Sequence, residues 1–371
     1  MTRPMAEAAP RPTRTPRLAW LDNLRVALIV LVVLHHLALM YGAAGPWYWV
    51  ELEADTAATT VALIFLLVNQ SWFMGSFFAI SGYFAPGSFD RKGAGAFVRD
   101  RLLRLGVPLL LYVFALAPLA AAIGAVGLGA PLPSYLDAIG SGPAWFLGVL
   151  LVFSLGYALV RLGRPAGPTH KRRLTVRALV GFVVALAAAT YLWRFLVPFG
   201  TFIPVVDLPS AFEAPQYVAL FAAGAVAYRR GWLERLPGRF GVGAGITVIV
   251  ATVLLLPIIA LYPDAMAGGG TWQSAVLALW EAVMATGMPL ALIVLFRRRA
   301  DRQGRVAREL SASAFSVFLV HAPVITAVAV ALDPLGMPAV LGFAVGVAVG
   351  LPLSFLVAAG LRRLPGLRRV L

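Results

Sequence analysis

The sequence predicts an all-α membrane protein: a bundle of about ten transmembrane helices with both termini cytoplasmic. Three observations predict it. Of the 371 residues 60% are apolar and only 13% charged, with a mean hydropathy of +0.85, a balance foreign to a soluble globular domain of this size. The apolar residues fall into stretches of roughly 17 to 25, the length that crosses a bilayer as a helix. The cations alternate from one connecting segment to the next, as helix-by-helix insertion requires.

Ten stretches fit the length rule: residues 21–41, 60–84, 106–126, 144–160, 176–195, 211–228, 242–262, 277–296, 312–332 and 338–361. The sixth is the weakest, being short and carrying Glu213 and Pro215. Of the 31 Lys and Arg residues, 29 lie in the N-terminal tail, in every second connection and in the C-terminal tail. The positive-inside rule therefore sets both termini in the cytoplasm and demands an even number of spans. Spread over six such segments, the net charge of +15 forms no single basic patch with interleaved aromatics, which argues against nucleic-acid binding.

Residues 1–17, rich in Pro, Arg and Thr, read as a disordered cytosolic tail and not as a cleaved signal peptide. Residues 18–371 form one membrane domain, because no connection is long enough to be a separate domain and no internal repeat of fixed period is evident. Without cysteine there is no disulfide, no thiolate nucleophile and no Cys-ligated metal; no metal site is expected. His170, in the charged 161–175 connection, reads as a solvated loop residue.

The first span holds the most costly residues. Arg25 and His36 are eleven positions apart, three turns plus ~20°, which places both on one helix face about 16 Å apart along the axis. Arg25 can snorkel to headgroups and His36 can hydrogen-bond between helices. Together with Asp22 one turn before Arg25, and with His35 beside His36, they point instead to function. His35 is turned ~100° from His36 and is expected to do a different job.

The second span ends in WFMGSFFAISGYF, where Gly75, Ala79 and Gly82 share a face suited to close helix contact and Ser81 either bonds a carbonyl or lines a cavity. Arg91 and Lys92 follow, then Arg101 and Arg104 at the head of the third span. Topology alone accounts for cations here, yet guanidinium forks also suit a diphosphate arriving from the cytosol. His321 lies about nine residues, ~14 Å, into the ninth span, at mid-membrane. The opposite segments are acidic and aromatic: Trp47, Tyr48 and Trp49 with Glu51, Glu53 and Asp55, then Asp137, Asp207, Glu213 and Asp264. Interfacial Trp and Tyr form an aromatic belt, and acid plus aromatic also suits a hydroxyl-rich ligand.

These pieces resemble the integral-membrane acyltransferase-3 family, and within it the branch near the glucan-modifying membrane succinyltransferases. The matching segments are WLDNLRVALIVLVVLHH, with the family's Arg, ten residues, His signature as Arg25 and His36; SFFAISGYF; FVRDRLLRLGVPLL; GPAWFLGVLLVFSLGY; and SAFSVFLVHAPV. They run in the family's order over nearly the whole chain. The resemblance implies transfer of an acyl group, acetyl or succinyl, from cytosolic acyl-CoA to a hydroxyl of a glycan or other acceptor, by a multi-pass protein of the plasma (inner) membrane. It implies that His36 and Arg25 are required for activity.

The expected partners are acyl-CoA as co-substrate, a hydroxyl-bearing acceptor and the lipid bilayer. Arg101, Arg104, Arg91, Lys92 and Ser81 are expected at the donor; His35, Trp145 and Glu213 at the acceptor. His36 is expected to act as general base, with Arg25, Asp22 and His321 assisting. A proton-coupled carrier or flippase using Arg25, His36, His321 and Glu213 as a relay is the alternative, with the absence of repeat symmetry counting against it.

Overall fold

A computed structural model of the protein describes residues 18–163, 172–203, 208, 210–266 and 268–365; the tail 1–17, His170 and Asp207 lie outside them. Eleven long helices carry the fold: α1 Ala19–Tyr41, α2 Thr56–Gln70, α3 Phe73–Lys92, α4 Ala94–Gly127, α5 Trp145–Gly163, α6 Val176–Trp193, α7 Ala214–Arg230, α8 Gly238–Leu261, α9 Trp272–Arg299, α10 Arg305–Leu332 and α11 Ala339–Leu361. Among the described residues, nine helical segments are long and apolar enough to cross a membrane, α2 and α3 counting as one. The protein is thus an all-helical membrane protein.

The sixth predicted span is the exception. It is α7, only 17 residues long, and it runs parallel to α3. The two touch from Gly75 and Gln216 at one end to Asp90 and Arg229 at the other. A Cβ on Gly82 would strike the Phe221 carbonyl, and one on Gly224 the carbonyl of Ala79. Only small residues permit so close an approach, and the small-residue face read from Gly75, Ala79 and Gly82 is the one that α7 occupies. That cover buries one face of a short helix headed by Glu213 and Pro215, while Val218 and Val226 stay exposed on another.

The basic connections gather at one end of the bundle. There Asp90 bridges Arg161 of α5 and Arg229 of α7 at 3.0 and 2.7 Å. Asn23, near the start of α1, donates to the carbonyls of Ala300 and Arg302 and accepts from Gln303. Arg297 holds the Leu233 and Leu236 carbonyls. The acidic connections close the other end.

Burial sorts the helices. α10 is the most enclosed and α1 is half buried, whereas α4, α6, α8 and α11 present most of their surface outward. That outward surface is apolar, with Val180, Val184, Ile249, Val253 and Leu356 among it, as a hydrocarbon surround requires. The long α4 is continuous but holds two π turns, Leu102–Gly106 and Tyr112–Leu116. Pro108 and Pro118 follow them, and a proline cannot donate to the carbonyl four residues back. Tyr135 supplies the missing donor at one such carbonyl, that of Phe114, at 2.8 Å.

Candidate active site

Two inner helices bring histidines from distant parts of the sequence together. His36 of α1 and His321 of α10 meet with Nδ1 of the first 3.1 Å from Nε2 of the second. His321 is fully buried, and its Nδ1 lies 2.7 Å from the Phe318 carbonyl and 3.3 Å from that of Val317. A carbonyl only accepts, so Nδ1 of His321 carries the proton and, in the neutral ring, Nε2 accepts. His36 must then donate through Nδ1. His36 also hydrogen-bonds the Val32 backbone; with its proton on Nδ1, Nε2 carries the lone pair that a general base needs.

The neighbours fix that ring. Trp47 stacks on His36 with centroids 4.3 Å apart, and His35 meets it edge-on at 5.5 Å. His35 itself stacks on Phe73 at 5.0 Å. Its Nδ1 receives the Asn69 amide at 3.2 Å, which puts its proton on Nε2. The adjacent histidines therefore hold opposite tautomers.

Trp47 belongs to the strap 42–55 between α1 and α2. A Cβ on Gly124 of α4 would overlap the Tyr48 carbonyl, so only glycine lets the strap lie this close. Tyr48 and Tyr112 share a hydroxyl contact of 3.1 Å, and the Glu51 N–H returns to the Met40 carbonyl at 2.9 Å. So pinned, Trp47 keeps its indole Nε1 buried and without a partner. An unpaired buried donor is costly, and a bound carbonyl oxygen would relieve it.

The other predicted residues fall into two groups. At the basic end, Asp22 and Arg25 pair at 3.8 Å with Arg25 half exposed. Asp100 bonds Lys92 at 2.9 Å and Arg104 at 3.0 Å, while Arg101 lies over Phe97 at 5.0 Å with its Nε buried and unpartnered. Lys92, Arg101 and Arg104 thus surround one carboxylate. Arg91 is exposed, and Ser81 lies eleven residues, ~16 Å, up α3 from Lys92, outside this cluster.

Near the acidic end, Trp145 stacks on Tyr217 at 5.6 Å, and Tyr217 bonds Ser210 at 2.7 Å and Gln70 at 3.0 Å. Glu213 is buried, receives Gln216 at 3.0 Å and lies in electrostatic range of Arg194 and Glu281. It sits inside the bundle and not in an open acidic segment.

Sequence reasoning passed over Trp47, Asn69, Arg194 and Glu281. Two left a signal: Asn69-Gln70-Ser71 is a polar triplet inside the apolar stretch 60–84, and Glu281 an acid inside 277–296. Trp47 was indistinguishable from an interfacial belt residue. Arg194 ends the stretch 176–195, where an arginine is ordinary, yet it is fully buried and bonds Glu281 at 2.5 Å.

No curated protein and no solved structure shows significant similarity to the chain. A family model described as an acyltransferase domain, that of acyltransferase-3, matches residues 18–359, a span that takes in both α1 with its Arg25 and His36 and α10 with His321. The chain therefore belongs to the acyltransferase-3 family.

Proposed function

We propose that this membrane acyltransferase moves an acetyl or succinyl group from cytosolic acyl-CoA to a hydroxyl of a glycan or related envelope acceptor. In this reading the protein resides in the plasma (inner) membrane, is akin to the glucan-modifying branch, and has its basic end and both termini in the cytoplasm. The observation that carries the chemistry is the His36–His321 contact, which leaves Nε2 of His36 as the base. His36 takes the proton of the acceptor hydroxyl as its oxygen attacks the acyl carbonyl, and gives it to the departing thiolate when the tetrahedral intermediate collapses. In this reading the unpartnered Trp47 N–H donates to the carbonyl oxygen as it gains charge.

The cations at the other end fit a donor with phosphates. Lys92, Arg101 and Arg104 outnumber Asp100, and the unpartnered Nε of Arg101 is a donor in waiting. Arg25 stands at the same end, about 16 Å along α1 from His36, a distance comparable to the pantetheine arm. Purified protein in detergent is supplied with acetyl-CoA and succinyl-CoA, and free thiol is followed with and without a polyol acceptor. Release that falls by roughly 10²–10⁴ in His36→Ala supports the base assignment. Unchanged release in that variant rejects it, and the absence of any release by the wild type favours a carrier.

A further inference from the structure

A cavity of about 450 Å³ lies toward the basic end, enclosed by α1, α3, α6, α7 and α9. Its wall runs on α1 from Leu21 to Leu28 and on α9 from Ala285 to Ile293, so it is at least ~10 Å deep along the helix axes. Small side chains make the room, with α7 contributing Ala219, Ala223 and Ala227. No histidine and no charged side chain lines it, and only Ser76, Tyr83, Trp232 and Thr286 bring a polar atom. Ser76 and Trp232 spend theirs on the carbonyls of Trp72 and Arg172.

Protein interiors leave few voids larger than a water molecule, and a hole of this size left empty weakens the packing around it. Water is a poor filler where the walls offer so few polar partners. Hydrocarbon is the filler that suits such walls. The way in is lateral: Ala178 of α6 and Ala222 and Val226 of α7 line the cavity and are also exposed. It therefore opens between those helices onto the apolar outer surface, where lipid chains are the hydrocarbon at hand.

Charge distinguishes this opening from a groove that any lipid would fill. Leu174 and Ala178, both lining the cavity, stand next to Arg173 and Arg177, which are exposed. Trp232 donates to the Arg172 carbonyl at 3.0 Å and carries the Arg230 guanidinium over its ring at 5.5 Å. Against Arg173, Arg177 and Arg230 the turn after α7 sets a single carboxylate, Glu234. Arg229 and Arg297 are committed elsewhere, to Asp90 and to the carbonyls of Leu233 and Leu236.

We infer that the cavity is a binding site for an anionic phospholipid, with an acyl chain between α6 and α7 and the phosphate among Arg173, Arg177 and Arg230. The site stands independently of acyl transfer. Three lipids separate chain from charge: dioleoyl-phosphatidylglycerol, dioleoyl-phosphatidylcholine with the same chains and no net charge, and dihexanoyl-phosphatidylglycerol with the same headgroup on short chains. The full chain, delipidated in a nonionic detergent, is titrated with each, and bound lipid is counted by native mass spectrometry.

The long-chain phosphatidylglycerol should bind about tenfold more tightly than either of the others. Combined Arg173→Gln, Arg177→Gln and Arg230→Gln, all at exposed positions, should bring it down to the level of phosphatidylcholine. Ala223→Phe, which fills the cavity, should weaken both long-chain lipids about tenfold in protein that stays monodisperse; if that variant does not fold, the arginine variants decide. Equal binding of the two long-chain lipids by the wild type, equally tight binding of the short-chain one, a headgroup preference that survives the triple change, or undiminished binding by folded Ala223→Phe protein overturns the site.

Discussion

Two buried polar clusters flank the turn Asn69-Gln70-Ser71, and they use burial in opposite ways. On one side Asn69 orients His35 beside His36, His321 and Trp47. On the other, Gln216 links the Ser71 carbonyl to Glu213 beside the Arg194–Glu281 pair. The second cluster is sealed: Arg194, Glu213, Gln216 and Glu281 are all nearly inaccessible, and Arg194 turns inward to Glu281, the Ser274 carbonyl and the Phe199 ring. The first holds no full charge when its rings are neutral, is half-buried at His36, and leaves the Trp47 N–H without a partner. Burial of charge that closes on itself joins helices; burial of polar groups that remain unsatisfied awaits a substrate.

This contrast breaks most visibly at His36 and Arg194. His36→Ala should remove roughly 10²–10⁴ of the transfer rate while the melting temperature in detergent stays within a degree or two of the wild type, since a half-buried neutral ring is lost. Arg194→Met should do the reverse. It strands Glu281 in the interior, which costs about 3–5 kcal/mol, seen as a large fall in melting temperature and in monodisperse yield. The rate per folded molecule should remain. Adding Glu281→Leu should restore most of the stability, because a buried pair replaced by apolar side chains is often neutral. A double variant as unstable as the single one would show that the pair is more than mutual neutralisation.

His321 sharpens the comparison from inside the first cluster. In His321→Phe the ring volume stays and both nitrogens go, so His36 loses the His321 acceptor and keeps only its bond to the Val32 backbone. The rate should fall by about 10²-fold through loss of the correct tautomer, not of the base itself, with KM unchanged. A rate equal to that of the wild type would mean that Nε2 of His321 plays no part in setting His36.

How much of this was legible follows from where each residue gets its partner. Burial by the bilayer is written in composition, so the apolar lengths gave the helices, and alternation of cations correctly gathered the basic connections at one end. The α7 helix read poorly for a physical reason: its membrane compatibility comes from α3, through Gly82 and Gly224, and not from its own length. In the site, His36 and His321 stood out because a histidine in an apolar run is conspicuous wherever it ends up. Trp47 and Arg194 did not, since both types are ordinary at a span boundary and only the strap and Glu281 make them otherwise. Lys92, Arg101 and Arg104 do come together around Asp100, whereas the π turn at Leu102–Gly106 is a matter of backbone hydrogen bonding ahead of Pro108.

The smallest effect tests whether the unsatisfied N–H of Trp47 has a use at all. Two substitutions separate its roles: Trp47→Phe keeps an aromatic face against His36 and deletes only the N–H, while Trp47→Ala removes both. If the indole only clamps the imidazole, the Phe variant works like the wild type and the Ala variant fails. If the N–H meets the carbonyl oxygen as charge develops, Trp47→Phe lowers kcat by about threefold to tenfold, the worth of one modest hydrogen bond, and leaves KM in place because the bond strengthens only in the transition state. The measurement is the steady-state rate of thiol release at saturating acyl-CoA. An unchanged kcat would reduce the first cluster to its histidines and make the buried indole N–H the same kind of leftover as the Nε of Arg194 in the second.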